Sequence, residues 1–209
     1  TQSMPSEHDG LFKLAFSDPK HVAVELRAVL PPALLALLDL ESLRLEPGSF
    51  VDDELTQSHS DLLLSVGLHG SDESARSGLV YVLFEHQSSV DPLMPLRLLE
   101  YVLKILRREI DRRKSVGLSP LPLPLVVPLV LHHSDSGWTA ATDFESLFSA
   151  ELLTLPDVAQ FVPHFRFLLD DLSRLPDEAI LARASRASER LVPLFLWALR
   201  DARSPERFL

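Results

Sequence analysis

Two rhythms of apolar residues alternate along this chain. Near the start, Leu11, Phe12, Ala15 and Phe16 recur at helical spacing behind Ser6 and Asp9, either of which can cap a helix. Asp18-Pro19 predicts the start of a second helix, with Val22, Leu26, Val29 and Leu30 on one face and Pro31-Pro32 as its stop. Residues Ala33 to Leu38 fit a short third helix, and Leu43 to Val51 an irregular first strand containing a Pro-Gly turn. The rhythm then changes. Ser60 to Val66 and Leu79 to Phe84 are short apolar runs, the second β-branched and aromatic, as in a fully buried strand.

The acidic stretch Asp52 to Glu54 reads as solvated loop, and the polar residues Gly67 to Gly78 as the turn joining the two runs. Strands joined by a loop of this length pair antiparallel, which sets the start of the first beside the end of the second. Asp61 is thereby expected opposite Glu85. The second run ends in Glu85, His86 and Gln87. A carboxylate at the end of a buried strand has to be paired or bind a metal, and ligands in α/β layouts gather at such strand ends.

A turn, Ser88 to Pro92, leads into the longest helical pattern, from Pro92 or Leu93 through Lys114. Leu96, Leu99, Val102, Leu103, Leu106 and Ile110 form its expected buried stripe. Arg97 and Tyr101 share a face near its start, close to the strand-end carboxylates. The basic residues Arg107 to Lys114 suit a helix C-terminus, as a solvated end or as phosphate contacts. Pro120 to Pro124 reads as a linker and Leu125 to Leu131 as another buried strand, whose Pro128 implies a bulge or an edge position. His132 to Trp138 forms a loop at that strand's end. A helix over Asp143 to Leu153, a last strand over His164 to Leu169, a helix from Pro176 and another over Ala187 to Asp201 complete the reading. In the last helix Leu191, Leu194, Phe195 and Ala198 share a face that fits a homodimer contact or core packing equally well.

Composition narrows the function classes. A length of 209 residues favours one substantial core. The net charge of -10 argues against coating nucleic acid by bulk attraction, while leaving room for a local basic patch. With no cysteine, disulfides, thiolate zinc sites and a cysteine nucleophile are excluded. No apolar run approaches the roughly 18 residues a membrane span needs, so no membrane partner is expected. Phosphate-binding glycine loops, G-x-S-x-G elbows and H-E-x-x-H motifs are all missing.

Asp61 with Glu85-x-Gln87 is the best candidate site. Two carboxylates converging from paired strands can hold a hard cation such as Mg2+, with a backbone carbonyl and waters completing the shell. That cation would activate water and stabilise a phosphoryl transition state. Spacing alone allows an alternative, in which Asp61 caps a turn and Glu85 pairs with Arg97. His132 and His133 point to opposite sides if extended, which disfavours a shared metal and fits structural histidines.

At these residues the chain resembles the Rpn recombination-promoting nucleases, also described as YhgA-like transposases, within the PD-(D/E)XK nuclease superfamily. The resemblance runs through His8-Asp-Gly-Leu-Phe-Lys13, Gly48-Ser-Phe-Val51, Ser60-Asp-Leu-Leu63, Glu85-His-Gln-Ser88, Pro92 to Tyr101, Pro124 to His133 and Trp138, roughly residues 8 to 150 in order. It implies a restriction-endonuclease-like α/β core of αβββαβ order, with a mixed central sheet flanked by helices. Residues 5–170 would form that core, and 171–209 a helical extension packed on it. It further implies a bacterial, cytoplasmic, Mg2+- or Mn2+-dependent endonuclease that cleaves DNA phosphodiesters and promotes recombination. Asp61, Glu85 and Gln87 would be catalytic, Gln87 standing where the superfamily has lysine. Asp61, Glu85 and the His86 carbonyl would hold the metal, while Arg97, Tyr101, Asp9 and Lys13 would border the substrate. The acidic balance and Gln87 motivate a second reading, a nuclease-fold module that binds DNA or protein with little or no turnover.

Overall fold

The computed structural model describes residues 7–47, 62–70, 79–184 and 189–201, with the backbone alone at 7–9, 79, 80 and 85. Three helices open it: α1 (Glu7–Phe16), α2 (Pro19–Val29) and the single turn α3 (Pro32–Leu35). Asp18 caps α2 by accepting from Lys20 N at 2.9 Å, with Pro19 in the first turn, where its missing N–H costs nothing. Then come β1 (Leu38–Leu45), β2 (Leu62–Leu68), β3 (Leu79–Gln87), the long helix α4 (Met94–Ser115) and β4 (Leu125–His132). A one-turn helix α5 (Ala150–Leu153), β5 (Leu168–Asp171), α6 (Asp177–Leu181) and α7 (Leu191–Asp201) follow.

The five described strands lie in the order β1-β2-β3-β4-β5. The β1–β2 and β2–β3 pairs are antiparallel, and the β3–β4 and β4–β5 pairs parallel. This mixed sheet with its αβββαβ order is the architecture implied by the resemblance. Alternation along the strands sorts two apolar layers. Leu64, Val66, Val82, Phe84, Val127, Leu129 and Leu131 share a core with Phe12 and Phe16 of α1, Leu26 of α2, and Val192, Leu196 and Leu199 of α7. Leu63, Tyr81, Leu83, Val126 and Val130 share the other with Met94, Leu98, Tyr101 and Ile105 of α4. Helices on both faces explain why the strands read as continuous apolar runs.

Several elements fall elsewhere than the sequence pattern places them. The first strand is Leu38–Leu45, so the third helix ends at Leu35. Its pairing with β2 shifts between Asp39 and Arg44. There the Ser42 hydroxyl donates to Asp39 O at 2.6 Å and accepts from Gly67 N at 2.8 Å. The helix expected over Asp143 to Leu153 is a 3-10 turn, Glu145–Leu147, followed by α5, and the last strand begins at Leu168. Pro128 sits in an interior strand, one residue before pairing with β5 begins at Leu129, where β4 is still an edge on that side.

Of the stripe expected on α4, Val102 is buried and the rest is corrected. Leu96 and Leu103 are 39% and 58% exposed, and Leu99, Leu106 and Ile110 half-buried. The buried face is Met94, Leu98, Tyr101, Val102, Ile105, Glu109 and Arg113. Apolar residues spread over more than half the circumference of this helix, so apolarity alone does not single out the buried face, which also carries the polar pair Glu109 and Arg113. Glu109 accepts from Tyr81 Oη at 3.3 Å, from Arg112 Nε at 2.7 Å and from Arg113 Nε at 2.7 Å. Arg113 Nη1 also donates to Pro122 O. On α7, Val192, Leu196 and Leu199 face the core, and Leu191 and Leu194 of the expected dimer face are exposed.

Candidate active site

The carboxyl ends of β3 and β4 meet under the opening helix. β2 and β3 pair from Gly67↔Leu79 to Leu62↔Phe84, the last described rung. Asp61 lies outside the described residues. β3 itself runs past Phe84, so Glu85, His86 and Gln87 are strand residues paired with Val130, Leu131 and His132 of β4. The parallel partner extends the strand beyond the apolar run, because pairing satisfies its backbone regardless of the side chain.

His86 continues the alternation of Val82 and Phe84, and His133 continues that of Val127, Leu129 and Leu131. Both rings therefore lie on the α1 face and meet, Nε2 to Nε2, at 2.9 Å, with centroids 5.0 Å apart and planes at 22°. Phe12 stacks on His86 at 5.1 Å and meets Phe84 edge-on at 5.1 Å. His133 N donates to Gln87 O at 3.2 Å. His132 faces the other way, edge-on to Trp138 at 5.1 Å, so the adjacent histidines are divided between the two faces.

The loop after β4 is clamped to β5. Asp171 accepts from Trp138 N at 2.8 Å and from Ser173 N at 3.1 Å, and Arg174 Nη2 donates to Trp138 O at 3.1 Å. Ser134 Oγ accepts from Gly137 N at 3.0 Å. Gly137 has φ +73, and a Cβ there would lie 2.7 Å from Arg174 Nε and 2.9 Å from Asp171 Oδ2. Glycine is thus required by both conformation and space.

The remaining predicted residues are distributed around this corner. Asp91 leads into α4: its Oδ1 accepts from Leu93 N at 2.8 Å and its Oδ2 from Arg97 Nη1 at 3.2 Å, so Asp91 is one partner of Arg97. Tyr101 is 9% exposed and belongs to the α4 core with Leu63 and Leu83, supporting the sheet from beneath. Lys13 is exposed on α1, next to Phe12; Asp9 lies on the same helix. Gln87 is half-buried. Among the described residues no three His, Cys, Asp or Glu side chains are arranged to hold a metal. The donors expected for one are two carboxylates and the His86 carbonyl, an all-oxygen set of the type hard divalent cations take. A cleft of about 610 Å³ lies elsewhere, between α2 and β1, and is lined by none of the predicted residues.

Sequence similarity adds to this geometry. The family described as "Putative transposase, YhgA-like" matches residues 6–201. The chain belongs to this family. Among curated relatives of this YhgA-like chain, the recombination-promoting nuclease RpnD of Escherichia coli O157:H7 is 35% identical over 184 residues, 87% of the chain and 64% of the relative. The recombination-promoting nuclease RpnA of Escherichia coli strain K12 is 31% identical over 190 residues, 88% of the chain and 58% of the relative. A third, named as the inactive recombination-promoting nuclease-like protein RpnE of the same strain, is 34% identical over 84% of the chain and 54% of its own length. The YhgA-like chain thus spans between 54% and 64% of these relatives. No solved structure matches it. Among the described residues no helix is long and apolar enough to cross a membrane.

The sequence pattern missed the His86–His133 contact and the Asp171 clamp. A signal for the first was present, since the alternation of each strand continues through its histidine. Which strands were neighbours, and in what register, was not.

Proposed function

We propose that this chain carries a metal-dependent nuclease centre that hydrolyses DNA phosphodiester bonds, with Asp61, Glu85 and Gln87 as its catalytic residues. The observation that carries the reading is the Leu62↔Phe84 rung. Asp61 precedes Leu62 in the chain and Glu85 follows Phe84, so the same antiparallel register carried one step further would set the two acids opposite each other. Membership of a family with relatives named as recombination-promoting nucleases supports the same assignment.

The carboxylates of Asp61 and Glu85 and the carbonyl of His86 would hold Mg2+ or Mn2+. When bound, such an ion supplies a Lewis acid and lowers the pKa of a coordinated water. Gln87 offers a neutral amide N–H to a phosphate oxygen and adds no positive charge, so more of the developing negative charge falls to the cation than in a site with lysine. Arg97 and the exposed Lys13 contribute phosphate contacts from α4 and α1, which orient the backbone without reading sequence. His133 and Phe12 hold the end of β3 in place beneath.

Plasmid nicking with Mg2+ tests the centre. Wild type is expected to nick, and Asp61→Ala and Glu85→Ala to lose activity while keeping the wild-type circular dichroism spectrum. Undiminished cutting by Asp61→Ala sinks the assignment. A second reading, a nuclease-fold binding module without turnover, is favoured by the relative named inactive and by the net charge of -10. DNA binding by wild type with no nicking in either Mg2+ or Mn2+ supports it.

A further inference from the structure

Away from this corner, one guanidinium is held between two carboxylates in the interior. Arg183 Nη1 donates to Glu25 Oε1 and Oε2, each at 2.7 Å, and to Asp170 Oδ2 at 2.7 Å, while its Nη2 donates to Asp170 Oδ1 at 2.7 Å. Glu25 is 0% exposed and Asp170 6%. The acids come from α2 and β5, and the arginine from the chain just after α6, so the set joins three parts of the fold.

The charges do not balance. Two ionised carboxylates against one guanidinium leave a net negative charge without water, an arrangement that buried sites avoid by keeping a proton. The other charged groups nearby in sequence are engaged elsewhere: Arg27 of α2 pairs with Glu189 at 2.9 Å, and Asp171 of β5 accepts from Trp138 N and Ser173 N. The charged groups that meet at this joint are Glu25, Asp170 and Arg183, with the guanidinium in contact with both acids. Burial, with Asp170 adding to it and Arg183 opposing, pushes the Glu25 carboxyl well above the usual carboxylate range. Burial also raises Asp170, but hydrogen bonds from Arg183 and Glu25 outweigh it and hold Asp170 below its ordinary value.

We propose that Glu25 and Asp170 share a single proton, making this joint a pH-sensitive lock that is closed with the proton in place and loosened when it leaves. The proton resides on Glu25 and is donated to Asp170, which stays ionised and forms a neutral bidentate pair with Arg183. Glu25 takes up this proton on folding, so its contribution is complete below about pH 4.5, its ordinary value, and is lost as pH rises through the folded value. Asp170 acts in the opposite sense and loses its contribution in acid. The lock reaches the candidate site through the chain itself, because the residue after Asp170 is the Asp171 that clamps the Trp138 loop. It stands independently of the nuclease reading.

Urea midpoints of wild type and Glu25→Gln between pH 5 and pH 9 test it. The wild-type folding constant is expected to fall with pH, by up to about tenfold per unit where the one proton is lost, relative to Glu25→Gln, which carries the neutral amide throughout. Identical slopes in the two proteins overturn the proposal. A second readout needs no variant: carbon NMR of the Glu25 carboxyl in the folded wild type is expected to report a protonated acid at pH 6. An ionised Glu25 at that pH overturns it as well.

Discussion

Nε2 of His133 lies 2.9 Å from Nε2 of His86, bridging the ends of two parallel strands beneath α1. One imidazole donates and the other accepts, and Phe12 covers the pair from the opening helix. The bridge ties the ends of β3 and β4 together where the chain carries Glu85 and the His86 carbonyl, groups proposed above to hold a metal.

Removing one partner is expected to cost more than removing both. His133→Phe keeps a ring in the stack but leaves His86 without this partner, at a cost of about 1–3 kcal/mol. Adding His86→Phe should restore part of that loss, and Phe12→Ala should cost about 3–5 kcal/mol by opening a cavity. Urea denaturation of His133→Phe, His86→Phe and the double variant measures the coupling.

Gly137→Ala is expected to destabilise by about 1–3 kcal/mol, the range for a non-glycine residue held at positive φ. The exposed Arg174 can swing away from the new methyl group, but Asp171 cannot move without releasing Trp138 N. Trp138 should therefore report the change, and in a Trp197→Phe background a loss of indole fluorescence anisotropy alongside the lower urea midpoint would identify the loop as the element that gives way.

At the far end of α4 the acid Glu109 answers two arginines. Burial pushes its carboxyl up, yet hydrogen bonds and charge from Arg112 and Arg113 prevail and hold it below the usual range. A depressed acid contributes stability above its ordinary value near 4.5 and loses it as pH falls through the folded value. Glu109→Gln removes the carboxylate that pairs with the buried Arg113 at 2.7 Å and should cost about 3–5 kcal/mol at neutral pH. It should also flatten the acid limb of the stability curve, which thermal melts from pH 7 down to pH 3 would register.

Arg97→Ala is expected to weaken DNA binding about equally for unrelated sequences and to reduce the slope of log affinity against log salt by about 1. Asp91→Asn, which removes the charge paired with Arg97 at 3.2 Å, should act in the opposite direction. Fluorescence anisotropy over a salt series, with Ca2+ in place of Mg2+ to suppress cutting, measures both. An unchanged slope for Arg97→Ala removes it from the phosphate contacts.

Much of this fold is legible from local pattern. The Asp18-Pro19 start of α2, the Phe12 and Phe16 face of α1, the apolar cores of β2, β3 and β4 and the antiparallel pairing of β2 with β3 all follow from caps, proline and periodicity. Those features are set within a few residues, or by a short connection, and the sequence reads them directly. The buried face of α4 is a different case. Apolar residues cover more than half the circumference of this helix, and the side that is buried is the one where Glu109 meets Tyr81 of β3 and Arg113.

The sequence alone determined the succession of the central strands, their two-sided burial, and the antiparallel pairing of β2 with β3. Tertiary structure decided which side chains from distant segments meet: His86 with His133, Asp171 with Trp138, and Arg183 with Glu25 and Asp170. Alternation along a strand records which side of the sheet a residue faces, because that depends on its own backbone. Its partner depends on the register of a neighbouring strand dozens of residues away, and only the packed sheet sets that register.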